Sequence, residues 1–116
     1  MKNHSFSDSD RLRHMLTALK FIREHTIGID EDTFYRNELL KRSVVRELEI
    51  VGEAANKLSA SFKQEHATIP WREITDTRNR IIHDYFHLSY ATVWGIVQTE
   101  LPLLEMQLQA VLNDLE

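Results

Sequence analysis

The chain has 116 residues, a formal net charge of −4, no cysteine, three glycines and two prolines. That length fits one domain with a modest core, and the missing cysteine excludes a disulfide framework and thiolate chemistry while fitting a reducing cytoplasm. The acidic balance argues against a generic electrostatic grip on nucleic acid, so any such contact has to be local.

The first ten residues, "MKNHSFSDSD", are polar throughout and do not form a signal peptide. No apolar run approaches the roughly 20 residues that span a bilayer, so no membrane role is expected. Nearly every stretch that follows obeys the helical period, which predicts an all-α chain. A first helix is expected from about Ser9 to His25, capped by Ser7 or Asp8. Leu12, Met15, Leu16, Leu19 and Ile22 form its buried stripe and Gly28 its stop. "DEDTFYRN" reads as an acidic lead-in with a short helical turn. A long helix from about Glu38 to Leu58 follows, with Leu40, Val44, Leu48, Val51, Ala55 and Leu58 on its core side.

"SASFKQEHATI" reads as a connector, and Pro70 suits the first turn of a new helix. "TDT" at 75–77 offers a further cap, so that Asp76 can start a separate helix. The last helix is expected from Ser89 to the C-terminus, with Pro102 kinking it near Gln98 to Leu101. The predicted architecture is a four- to five-helix up-and-down bundle with a kinked C-terminal helix, one domain over 1–116.

Chemistry concentrates in "RNRIIHDYF" at 78–86. With Arg78 at zero and about 100° per residue, Ile81, Ile82, Tyr85 and Phe86 fall within about 80° on either side. Arg78 therefore sits in the middle of an apolar face and needs an acid, a phosphate or a subunit boundary. Asn79 and His83 share a neighbouring edge. Arg80 and Asp84 share the far side as an exposed pair worth a few tenths of a kcal/mol. Arg78 and His83 lie about 140° apart, so one straight helix does not bring both onto one ligand. Two copies about a twofold axis do, as does an irregular helix. Taken singly, each residue also has a plainer reading: His83 as an edge residue, Arg78 as half of a structural ion pair, Tyr85 as a core residue with its hydroxyl at the rim. His83 and His87 have the spacing of two metal ligands on a helix, but no third ligand accompanies them and no metal site is assigned. No glycine-rich phosphate loop, nucleophile elbow or paired-carboxylate motif is present.

"RNRIIHDYF" resembles the R-x-x-x-x-H-x-Y signature of HepT toxins, the HEPN-domain partners in HEPN/MNT toxin–antitoxin pairs. "VVRELEIVGEAANKLS" at 44–59, "IPWREI" at 69–74 and "VWGIVQTELPLL" at 93–104 resemble that family too, in the right order. The resemblance implies a HEPN-like helical bundle that dimerises with the two motifs meeting at the interface. It implies an endoribonuclease that needs no metal and no cofactor. His83 would be the acid/base, Arg78 would hold the scissile phosphate, and Asn79 with Arg80 would contact RNA. A free helix start at Asp76 would add backbone donors near Arg78. The resemblance also implies a cognate MNT nucleotidyltransferase that transfers AMP from ATP to Tyr85 and so silences the toxin. Glu49 and Glu53 lie opposite the core stripe of the long helix, either as a solvated face or as cleft support beside Arg78. The competing expectation is a non-catalytic HEPN module that docks a nucleotidyltransferase.

Overall fold

A computed structural model describes residues 7–83 and 89–116, with backbone alone at Ile82 and His83. Its helices are α1 (Asp8–Thr26), α2 (Glu31–Arg36), α3 (Glu38–Lys57), α4 (Ala60–Glu65), α5 (Trp71–His83), α6 (Tyr90–Thr99) and α7 (Leu101–Leu115). The all-α reading holds, and the long helices form a bundle in which α1 and α3 pack most extensively, with α5 against α3 and α7 against α1.

Local chemistry accounts for the helix ends. Ser7 accepts from the Asp10 amide while Asp10 accepts from the Ser7 amide, a reciprocal cap at 3.1 Å each way. α1 ends at Thr26 with Ile27 as its extended C-cap, and Gly28 turns the chain with φ +79°. Asp30 caps α2 through the Thr33 amide at 2.8 Å, and Asn37 caps α3 through the Leu40 amide at 3.0 Å.

The expected connector after α3 contains a helix of its own. Ser59 caps it through the Phe62 amide, and Phe62 is buried. The Asp8 carboxylate accepts from both the amide and the hydroxyl of Ser59, tying the starts of α1 and α4 together. At the other end of the chain, the expected kink is a break. Glu100 separates α6 from α7, and Pro102 lies in the first turn of α7, where its missing N–H costs no intrahelical bond. Glu100 keeps helical dihedrals (φ −104°, ψ −40°), donates to the Ile96 carbonyl and accepts from the Leu104 amide, so backbone hydrogen bonds run on across the break.

The core runs through Leu12, Met15, Leu19 and Ile22 of α1, Val44, Leu48, Val51 and Ala55 of α3, and Leu104 and Leu108 of α7. Each Val, Leu, Ile and Met side chain among them contributes ~1.5–3 kcal/mol on burial. Phe34 carries α2 into this core and packs on Trp94 of α6 with ring centroids 5.1 Å apart. Lys41 is an unexpected member: it is 5% exposed, yet it lies in the core phase of α3. Its Nζ sits 4.3 Å from the Tyr35 ring centroid and 4.5 Å from that of Tyr90, and pairs with Glu38 at 2.8 Å. The ammonium thus sits in a near-dry place between two π faces and one carboxylate, joining α2, α3 and α6. Among the described residues, no helix is long and apolar enough to cross a membrane.

Candidate active site

α5 positions the site and packs along α3. At its start, the Pro70 carbonyl accepts from Ile74, Trp71 donates its indole N–H to the His66 carbonyl at 3.0 Å, and the Trp71 ring packs on Phe62. This end lies beside the C-terminal end of α3. Just beyond the other end of α5, Tyr90 sits against Lys41, near the start of α3. α5 therefore runs antiparallel to α3.

The helix is continuous from Trp71 to His83, which corrects the expected second start at Asp76. Thr77 does not release backbone donors; its hydroxyl donates back to the Glu73 carbonyl at 2.9 Å, inside the helix. The apolar stripe of Trp71, Ile74 and Ile81 runs straight through "TDT", and its burial outweighs the local capping signal. The amides near Arg78 are engaged in the helix, so no anion site at a helix N-terminus forms there.

Arg78 faces α3 from the middle of α5. Its stem lies in a notch at Gly52: a Cβ built on Gly52 would overlap Arg78 Cβ, reach within 2.7 Å of Arg78 Cγ and lie 3.2 Å from the Ile74 carbonyl oxygen. Only the absence of a side chain lets the two helices meet this closely. The guanidinium then donates from Nη1 to Asn79 Oδ1 at 3.0 Å, and its Nε–H is buried with no hydrogen-bond partner. A partly buried guanidinium with one buried, unpaired N–H has donors left to offer a planar oxyanion.

The remaining expected residues divide as follows. Asn79 is half-buried and holds Arg78 through its oxygen, which leaves its amide N–H₂ as a donor. Arg80 is exposed on the outer face. Glu53 pairs with Lys57 at 3.2 Å rather than with Arg78. Glu49 is half-buried and makes no ion pair among the described residues. Its phase, about 60° from Gly52, puts it on the same side of the α3–α5 seam as Asn79. His83 closes α5, but its side chain lies outside the described residues, as do Asp84, Tyr85 and His87. No group of three or more His, Asp or Glu with metal-binding geometry occurs among the described residues.

Gly52 and Lys41 are the residues that the sequence reading passed over. Both left a signal: a lone glycine inside a strong helix-forming run, and a lysine in phase with Val44 and Leu48.

Comparison with known proteins bears on this arrangement. The family model described as "Ribonuclease HepT-like" matches residues 15–111. The chain is a member of this family. The match includes both Gly52 and Arg78, together with all of α3, α5 and α6. Among curated relatives of this HepT-like chain, one from Caldanaerobacter subterraneus subsp. tengcongensis named "Putative RNase TTE0752" is 38% identical over 102 residues, covering 88% of this chain and 91% of the relative. "Probable ribonuclease HepT" of Thermococcus cleftensis is 34% identical over 99 residues, covering 85% and 90%. "Putative RNase MJ1380" of Methanocaldococcus jannaschii is 32% identical over 100 residues, covering 86% and 92%. No solved structure matches the chain.

Proposed function

We propose that this HepT-like chain is the endoribonuclease toxin of a HEPN/MNT toxin–antitoxin pair, cutting RNA without a metal at a composite site shared by two protomers. Membership of a ribonuclease family supports the reaction class. The observation that carries the site assignment is Arg78: a cation packed into a glycine notch, steered by Asn79, with a buried donor left over. Such a group is pre-positioned for the negative charge that grows on a phosphate under attack.

The chemistry needs little else. RNA supplies its own nucleophile, the 2′-OH. His83 takes that proton or protonates the leaving 5′-oxygen. Arg78 offers its planar donors to the non-bridging oxygens, and Asn79 adds an amide N–H. The 2′-oxygen bonds to phosphorus as the P–O5′ bond breaks, giving a 2′,3′-cyclic phosphate and a 5′-hydroxyl. Arg78 on an inward-facing side, with a buried donor to be satisfied, favours completion of the site by a second copy. The nucleotidyltransferase partner would attach AMP to Tyr85, putting a phosphate where the substrate must go. The chain would act in the cytoplasm, where both RNA and ATP are available.

Mixing two inactive variants tests the composite site. Arg78→Ala and His83→Ala homodimers should each be inactive. After subunit exchange, mixed dimers carry one intact site, and activity should return to about a quarter of wild type. No recovery despite proven exchange contradicts a site built from both protomers. A purified wild-type chain that cuts no RNA points instead to a docking module.

A further inference from the structure

On the opposite side of α3 from Arg78, a cleft of about 250 Å³ opens between α1 and α3. Its walls carry Arg11, His14, Arg46 and Lys57, its floor is Ile50 and Ala54, and Glu53 is its one carboxylate. Glu53 is already neutralised by Lys57 at 3.2 Å. Arg46 is exposed and makes no ion pair among the described residues. In a chain of net charge −4, Arg46 stands here beside Arg11, His14 and the Lys57–Glu53 pair, so basic side chains outnumber the one carboxylate of the lining. Long helices with buried cores form both walls, so the roots of these side chains are fixed in the fold.

The cleft is level with the candidate active site. Arg46 lies about 9 Å before Gly52 along α3, and Lys57 about 8 Å after it. Around the helix they stand about 120° and 140° from Gly52, so a strand held at Arg78 reaches them by crossing one helix diameter, ~10 Å. An acidic protein that binds a polyanion needs such local contacts, because its overall field is repulsive.

We infer that the α1–α3 cleft is a second phosphate-binding subsite, taking the backbone of single-stranded RNA one helix diameter from the scissile phosphate. This rests on the ribonuclease reading. The subsite carries no base-reading chemistry: point charges on flexible stems grip phosphates regardless of sequence. Its contribution is therefore affinity and salt dependence, whereas Arg78 and His83 supply the reaction.

The test separates the two readings by measuring binding without cleavage. A 2′-O-methyl RNA oligonucleotide lacks the nucleophile, and its binding is followed by fluorescence anisotropy across a salt series. Each lost phosphate contact should flatten the slope of log K against log salt by ~0.7. Arg46→Gln should show one such step and Arg46→Gln/Lys57→Gln two, with affinity falling roughly 10-fold or more at low salt. Glu53→Gln, which frees Lys57, should tighten binding and serves as a gain-of-function control. Wild-type binding with unchanged slopes in all three variants overturns the subsite and leaves the ribonuclease reading standing. A wild-type chain that neither binds this oligonucleotide nor cleaves unmodified RNA overturns both.

Discussion

Adding one methyl group at Gly52 is the sharpest perturbation of the proposed site that leaves every chemical group in place. In an exposed helix, Gly→Ala stabilises by about 1 kcal/mol, because glycine loses the most backbone entropy. Here the new Cβ would overlap Arg78 Cβ and lie 2.7 Å from Cγ and 3.2 Å from the Ile74 carbonyl oxygen. Carbon contacts settle at ~3.5–4.0 Å, so α5 must move away from α3 by about 1 Å or more. The atoms met are backbone oxygen and the root of a side chain, which cannot rotate aside. Overpacking of this kind costs typically ~1–3 kcal/mol, and a backbone-rooted contact belongs at the upper end. The net expectation for Gly52→Ala is a loss of ~1–2 kcal/mol by urea denaturation. Cleavage should fall by about 100-fold, the effect expected of a catalytic group displaced by ~1 Å. A double-mutant cycle with Arg78→Gly should show favourable coupling, since removing the facing Cβ relieves the overlap. A Gly52→Ala chain that is ~1 kcal/mol more stable and fully active would refute the close crossing of α3 and α5, and with it the positioning of Arg78.

Other elements give independent tests. Lys41→Ala should destabilise by ~2 kcal/mol or more, and Lys41→Met by less because the stem packing survives; Tyr90→Phe should be near neutral and Tyr90→Leu not, as read by thermal denaturation. The Lys41 ammonium, hydrogen-bonded and close by, holds the Glu38 carboxyl below its ordinary range, with Arg42 adding to it. Because the folded pKa is depressed, its stabilisation is present above the ordinary glutamate range and is lost as pH falls through the lowered value. Asp10 and Asp30, each lowered by the amide it caps, behave alike. The melting temperature should thus drop between about pH 5 and pH 3, and less steeply in Glu38→Gln. Incubation with the cognate nucleotidyltransferase and ATP should add whole AMP units by intact-protein mass spectrometry; the gain should vanish in Tyr85→Phe, and mapping to Tyr35 or Tyr90 would remove Tyr85 from the scheme.

Much of this fold is legible because helix ends are local chemistry. Ser7, Asn37 and Ser89 mark helix starts through hydrogen bonds to amides three residues on, and Gly28 marks an end by its positive φ. Asp76 misled for the same reason: its cap signal is local, whereas the stripe of Trp71, Ile74 and Ile81 that overrides it draws on contacts with α3 and α4. α4 went unread because one buried aromatic, Phe62, decides it, and one residue is no period. Of the candidate site, Arg78 stands out in the sequence as a cation on an apolar face. Its notch at Gly52 does not, because a close crossing of two helices is a property of the pair. Lys41 is the extreme case: its partners Tyr35 and Tyr90 belong to helices on either side of it in the chain, and only the fold brings both rings to one ammonium.

The most direct measurement is cleavage of a labelled single-stranded RNA by the purified, unmodified chain in excess EDTA, alongside Arg78→Ala and His83→Ala. The proposed mechanism predicts undiminished cutting in EDTA, fragments ending in 2′,3′-cyclic phosphate or 3′-phosphate, and loss of activity in both variants with melting temperatures close to wild type. Cleavage abolished by EDTA, or a folded His83→Ala chain that cuts as fast as wild type, would contradict it.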